Sequence, residues 1–314
     1  MRGMWLALVV LAGLGGCGRE ESVGAKSAAD ATGSAPATRQ ASDGILPSGR
    51  VGARTFNSKL PLQVWVRGAW TSKWDKHEIT PAPTAVQIPE CDAWAVEPLD
   101  TWDRDWAALV RVVEDEHVSG VWMPAWTGDE DLLEIKKCQR LQFLGLAKTG
   151  VTNAGTATLA DIKGLQELNL SGTFVTDAGL ERLTALKDLR RLDLSNCSRV
   201  TDSGLSKVKH ISGLVALGLQ GVGITDEGLL HLVDMRALRE LDLSSTHVTD
   251  EGLTQLRDVP SLEKLDLNGC MMVTDGALPH LKELTGLKVL WLSHFLKDST
   301  RAELQLALPK CEVR

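Results

Sequence analysis

The sequence has no tyrosine and only four phenylalanines in 314 residues, against ten tryptophans, so its aromatic surface is almost entirely indole. It also has no excess of positive charge. The formal net charge is −7, which removes the general electrostatic basis for binding nucleic acid or an anionic membrane surface. None of its six cysteines stands in a C-x-x-C pair, so zinc-ribbon and thioredoxin-like chemistry lack their ligands. His77, His117, His210, His231, His247, His280 and His294 show no metal-ligand spacing. Neither G-x-S-x-G, a phosphate-binding loop nor G-x-G-x-x-G occurs between a strand and a helix, so an enzyme would have no visible nucleophile or cofactor cradle. No cofactor is expected. Nor is there an apolar run of the ~18–20 residues that a transmembrane helix needs.

What is present begins with a short apolar run, Met4 to Leu14, after the single charge of Arg2. This reads as a signal peptide over residues 1–16. The adjoining Leu14-Gly15-Gly16-Cys17 resembles the bacterial lipobox. That resemblance implies cleavage before Cys17, lipidation of its thiol and anchoring to a bacterial cell envelope. Gly18 resembles an outer-membrane sorting signal and favours that membrane over the inner one. Residues 17–58 are rich in Ala, Ser, Gly, Thr and Asp and bury too little apolar surface to offset ordering, so a flexible tether is expected.

Residues 59–117 form a Trp-rich region with Trp65, Trp70, Trp74, Trp94, Trp102 and Trp106. Alternating Leu62, Val64 and Val66 predict a strand. Helical spacing of Trp102, Trp106, Leu109, Val110 and Val113 predicts a helix over Thr101 to Asp115, capped by Asp100 or Thr101. The region is expected to cover the open end of the C-terminal part of the chain. An exported location permits a disulfide, and Cys91 with Cys138 is the pairing to test.

From Val118 the chain repeats itself. Units start at Val118, Leu141, Leu165, Leu189, Leu214, Leu238, Leu262 and Leu287, with spacings of 23, 24, 24, 25, 24, 24 and 25. Five share L-x-x-L-x-L-x-x-(T/C/V)-x-(V/I)-T-D, as in Leu165-Gln-Glu-Leu-Asn-Leu-Ser-Gly-Thr173 and Leu238-Arg-Glu-Leu-Asp-Leu-Ser-Ser-Thr246. Over residues 118–314 the chain closely resembles the leucine-rich-repeat family, especially its cysteine-containing subclass and bacterial arrays with V-T-D-x-G-L. The resemblance implies an α/β solenoid, a horseshoe with a concave parallel sheet and convex helices.

Within x-L-x-L-x the period of two turns Leu168 and Leu170 inward and Glu167 and Asn169 outward. The ninth position, held by Thr149, Thr173, Cys197, Val222, Thr246, Cys270 and Phe295, is expected to point inward, as is Trp126. Cys197 and Cys270 then have structural roles. The Thr or Asp of T-D-x-G-L is expected to cap the convex helix, with the glycine allowing close packing. Each such loop offers one carboxylate, short of the six to eight oxygens that calcium takes. The closing stretch to Arg314 predicts a last helix and a short strand with Cys311 and Val313 inward, an ending typical of such arrays.

Function on such a fold falls to the outward positions of the strands. Trp122 and Phe143 are expected as an exposed diagonal pair of the kind found in binding hot spots, unless the N-terminal region folds over them. Asp242 and Asp266 fall side by side, with Asp193 further along, and like charges at that spacing suit a basic partner. Asn169, Arg191, Glu240, Lys264 and Trp291 complete the candidate surface, with Glu240 beside Lys264 as a surface ion pair. The expected function is binding of a protein partner by a membrane-anchored lipoprotein. The alternatives are a structural envelope component without a dedicated ligand, and carbohydrate binding by the Trp-rich region.

Overall fold

The computed structural model describes residues 52–67, 74–80, 85–89, 91 and 93–314. Cys17, Trp70, and the residues expected as a signal peptide lie outside them. The strands are β1 (Arg54–Phe56), β2 (Leu62–Arg67), β3 (Asp75–Ile79), β4 (Val86–Ile88), β5 (Ala93–Pro98), β6 (Gly120–Trp122), β7 (Phe143–Gly145), β8 (Glu167–Asn169), β9 (Arg191–Asp193), β10 (Ala216–Gly218), β11 (Glu240–Asp242), β12 (Lys264–Asp266), β13 (Val289–Trp291) and β14 (Glu312–Val313).

Twelve of them make one sheet in the order β14-β13-β12-β11-β10-β9-β8-β7-β6-β5-β2-β3. Pairing is parallel from β5 to β14 and antiparallel where β2 joins β5 and β3. The N-terminal region therefore extends the solenoid's sheet and covers its end, which a repeat array needs to bury its last leucines. Folded structure also reaches back into the stretch expected as tether. β1 pairs with β4, and Phe56 is buried edge-to-face on Trp94 at 5.0 Å.

In each repeat the two leucines of x-L-x-L-x, Val121 and Met123 in the first, are buried, and they stack on their counterparts as Leu168, Leu192, Leu217, Leu241 and Leu265 do. Where the strand ends, Thr173 and Thr246 donate their hydroxyls to Leu170 and Leu243 carbonyls at 2.6 and 2.5 Å. Cys197 and Cys270 donate to the same two carbonyls from the next repeat, at 3.1 and 3.0 Å. These thiols close buried backbone acceptors, and burial raises both above the ordinary thiol range. Two ninth positions depart from the expected pattern. Phe295 is 53% exposed while Leu296 takes the interior, and Trp126 is half-buried while Thr127 is buried beside it.

The first helix runs over Trp106–Asp115, later than expected, because Asp105 supplies the cap by accepting from the Ala108 amide at 2.9 Å. Arg104 just before it sits at φ 64°, outside the helical region. Cys138 is a buried thiol that is not joined to Cys91, and burial and the Glu114 carboxylate push it up to about 12. At the far end the helix Asp298–Ala307 leads into β14, with Cys311 buried and Val313 half-buried. Among the described residues no helix is long and apolar enough to cross a membrane.

The T-D-x-G-L segments do more than start helices. Asp177 accepts from both the amide and the hydroxyl of Thr201, one repeat ahead, at 2.8 and 2.7 Å. Asp202 does the same to Thr225, Asp226 to Thr249 and Asp250 to Thr274. Asp129 with Thr152 and Asn153 with Thr176 begin the ladder, and Asp275 ends it on Lys297 and Thr300. The expected cap falls to the threonine, as Thr152, Thr225 and Thr274 accept from the Ala154, Glu227 and Gly276 amides, and Asp177, Asp202 and Asp226 stand in the first turn as expected; the contact with the next repeat is an additional role of these acids. The glycine two residues after Asp177, Asp202, Asp226 and Asp250 explains the spacing. A Cβ on Gly204 would stand 2.5 Å from Asp177 Oδ1, so only glycine lets the preceding carboxylate dock.

Candidate binding face

Each strand presents two side chains on the concave side, because the intervening leucine is committed to the core. The register aligns Gly120, Phe143, Glu167, Arg191, Ala216, Glu240, Lys264 and Val289 in one row, and Trp122, Gly145, Asn169, Asp193, Gly218, Asp242, Asp266 and Trp291 in the next.

At the N-terminal end the aromatic pair exists but is covered. Trp122 and Phe143 lie 4.4 Å apart, Trp65 approaches Trp122 at 6.1 Å, and Trp74 approaches Phe143 at 5.2 Å. Glycines make this possible: Phe143 lies across Gly120 and Trp122 across Gly145, where Cβ atoms would collide with the rings. Arg67 from β2 stacks on Trp74 and pairs with Glu167. Phe143 is left 5% exposed and Trp122 half-buried, so of the two readings, an exposed pair or one overlaid by the N-terminal region, the second holds. The physical reason is the extension of the sheet by β5, β2 and β3, which carries Trp65 and neighbouring Trp74 over the pair.

Past this plug the first row neutralises itself. Arg191 reaches across Ala216 to Glu240, Nη1 to Oε2 at 2.9 Å, and Lys264 Nζ meets Glu240 Oε1 at 2.9 Å. Burial opposes the Arg191 charge, yet the Glu240 hydrogen bond and charge hold its pKa above the ordinary value. Burial likewise opposes ionised Glu240, and Arg191 and Lys264 outweigh it and hold it low. On the surface beside them Glu263 takes both Arg239 and Lys288.

The second row is acidic and has no such relief. Oδ1 of Asn169, Asp193, Asp242 and Asp266 each accepts the backbone amide two residues on, from Ser171, Ser195, Ser244 and Asn268, at 2.8 to 2.9 Å. These are Asx-turns that lead the chain off the strand. Asp193 is 1% exposed and Asp266 3%, while Asp242 is half-buried. Among the described residues no ion pair reaches Asp193, Asp242 or Asp266. Burial pushes Asp193 up to about 7 against its Ser195 hydrogen bonds, with the Asp242 charge adding to the rise. Asp266 is pushed up to about 6 by burial, partly offset by Asn268 and reinforced by Asp242. At the C-terminal end Trp291 is 8% exposed and Arg314 stands 5.3 Å from its ring centre.

The candidate residues therefore divide. Arg191, Glu240 and Lys264 form one network, Asp193, Asp242 and Asp266 form a second, and Trp122, Phe143 and Trp291 lie at the two ends. Sequence reasoning missed Arg67 and the neighbouring Trp65 and Trp74 as lids. The L-(D/N)-L-S pattern, with an Asx residue two before serine, carried the signal for the buried turns. Among the described residues no group of three or more His, Cys, Asp or Glu is placed to hold a metal ion.

Residues 185–209 and 235–256 match the family model described as Leucine Rich repeat. Among solved structures, an internalin from Listeria monocytogenes is similar at 18% identity and TM-score 0.46, over 65% of this chain and 63% of its own. Internalin C2 from the same organism is similar at 23% identity and TM-score 0.43, over 59% of this chain and 72% of its own. The chain thus spans 63% of the first internalin's length. No curated protein sequence matches it.

Proposed function

We propose that this leucine-rich-repeat protein is a non-enzymatic, envelope-anchored lipoprotein whose concave sheet binds a protein partner between β9 and β13. The observation that carries the reading is the unrelieved acidic row of Asp193, Asp242 and Asp266. A sheet that neutralises Glu167, Glu240 and Glu263 with its own arginines and lysines leaves three neighbouring carboxylates without any. Uncompensated buried charge is unfavourable for the isolated fold, and such groups concentrate where function needs them. The covered N-terminal aromatics confine recognition to the later repeats. In this reading Cys17 bears the lipid, and substituting it with serine abolishes incorporation of labelled palmitate.

The concave reading is tested by capture from envelope extract with the full-length protein and a folded Glu240→Lys/Asp242→Lys variant. Both residues are half-buried on β11, so their exchange alters the face without emptying the core. Trp122 is unsuitable for the purpose because its truncation would undercut Trp65. Loss of one partner in the variant supports the reading, and the same proteins captured by both sink it.

A further inference from the structure

Successive repeats leave the strand through the same turn. Lys148, Gly172, Asn196, Gly221, Ser245 and Gly269 hold the same place in it, each at a φ between 57 and 69°. In the first five the amide of that residue donates to a carbonyl of the next repeat: Lys148 to Ser171, Gly172 to Ser195, Asn196 to Gln220, Gly221 to Ser244 and Ser245 to Asn268, at 2.7 to 2.9 Å. The sixth amide, that of Gly269, donates to no described residue. The cause lies in the last repeat. Its turn closes one residue late, with the Leu296 amide on the Ser293 carbonyl at 3.2 Å, and Arg301 Nη2 takes the same carbonyl at 2.6 Å. Ser293 stands where Asn268 stands one repeat earlier, so the oxygen that would extend the series is already engaged and turned to other donors.

The residue before the unbonded amide is an asparagine. Asn268 is exposed, and it is the one asparagine in the chain that precedes a glycine. Glycine has no Cβ to hinder its own nitrogen from approaching the side chain before it. The amides that follow Asn153, Asn169 and Asn196 are all bound: Ala154 donates to Thr152 Oγ1 at 3.2 Å, Leu170 to the Asp193 carbonyl at 2.8 Å and Cys197 to the Leu194 carbonyl at 3.0 Å. Sequence and fold therefore place an accessible carboxamide next to an uncommitted backbone nitrogen at this turn.

We propose that Asn268 is a site of spontaneous deamidation, selected by the amide that the shifted last turn leaves unbonded. The Gly269 nitrogen attacks Asn268 Cγ: the N–Cγ bond forms, the Cγ–Nδ2 bond breaks, and the amide proton departs with the side-chain nitrogen as ammonia. Water then opens the cyclic imide. Opening at Cγ gives aspartate, and opening at the main-chain carbonyl gives isoaspartate, in which the chain runs on through Cγ. Either product adds a carboxylate two residues after Asp266. Isoaspartate also lengthens the backbone inside the turn that the Cys270 amide closes on the Leu267 carbonyl at 3.2 Å.

The full-length protein is held at pH 8 and 37 °C and sampled over weeks. Peptide mass spectrometry reads conversion at position 268, and enzymatic methylation reads isoaspartate. Gln220→Asn supplies the control, because position 220 is exposed and holds the same place in its turn, but the Gly221 amide that follows it is bound to the Ser244 carbonyl at 2.9 Å. Conversion is expected at position 268 of the folded protein and at least about fivefold slower at position 220 of the variant, the factor that one backbone hydrogen bond is worth. In urea the two positions should convert at rates within twofold of each other. Asn268→Ser, which installs the residue that Ser171, Ser195 and Ser244 supply to the same turn, should lose the isoaspartate signal. An intact position 268 in the folded protein, with conversion only in urea, overturns the proposal. Equal rates at 220 and 268 in the folded proteins overturn it too, since the free amide would then select nothing. Isoaspartate persisting undiminished in Asn268→Ser places the modification elsewhere and has the same consequence.

Discussion

Replacing Asp193 with asparagine should make the protein more stable, and more so as pH rises. Asp193 is fully enclosed on β9, and burial lifts its pKa from 3.8 to about 7. In the unfolded chain it ionises near 3.8, whereas in the folded chain it keeps its proton to about pH 7. Between those values the folded state binds more protons, so this group's contribution to stability falls as pH rises through the window. Between pH 5 and pH 8 the loss amounts to roughly 2 to 3 kcal/mol. Asn169 occupies the equivalent place one repeat earlier and makes the same turn bond to its Ser171 amide at 2.9 Å. Asp193→Asn therefore keeps the geometry and removes the titration. The assay is urea unfolding of wild type and variant at pH 5, 6, 7 and 8, where the other titrating groups largely cancel in the difference. The variant's advantage should grow by about 2 to 3 kcal/mol across that range, or about 5 °C in melting temperature for a domain of this size. A difference constant to within about 0.5 kcal/mol would refute the burial of an unpaired carboxylate.

The packing carries three further expectations. Asp226→Ala removes two acceptor contacts to Thr249 and should lower stability by about 1–2 kcal/mol in denaturant unfolding. An unchanged midpoint would mean that the convex ladder does not hold the repeats together. Cys138, Cys197, Cys270 and Cys311 are buried with raised pKa values, so iodoacetamide at pH 8 should leave them unmodified until the chain unfolds, as read by mass spectrometry. Rapid labelling of the native protein would contradict the burial. Trp65→Ala should uncover Trp122 and lower stability by about 2 kcal/mol, with faster amide exchange in β6 and β7. Exchange unchanged there would show that Trp65 is no lid.

Most of the repeat architecture was legible because its physics is local and repeated. The observed strands β6 to β13 are the first three residues of the x-L-x-L-x segments read from the spacing, and the chain leaves the strand before the second leucine. Period-two alternation fixes which side chains face inward, and eight recurrences leave no ambiguity of register. What was not legible depended on contacts between units. Asp177 starts its own helix as read, but only stacking shows that it also grips Thr201. Asp193 and Asp266 read as outward carboxylates of the strands, but neighbouring strands and their own turns enclose them. Trp122 and Phe143 read either as an exposed pair or as one overlaid by the N-terminal region, and only the extension of the same sheet by β5 and β2, which brings Trp65 and Trp74 over them, decides between the two. Phe295 obeyed the repeat count but not the interior, since its unit passes to Leu296 one position later.

The central claim, that partner recognition falls on the later concave strands, is tested most directly by photo-crosslinking. A benzophenone amino acid replaces Lys264 on β12 in one full-length protein and exposed Leu230, in the segment after β10, in another. Both are irradiated in envelope extract and the adducts identified by mass spectrometry. The account predicts one protein crosslinked from position 264 and not from position 230, with the adduct suppressed by excess unlabelled wild type. The same partner crosslinked from position 230 alone would contradict it.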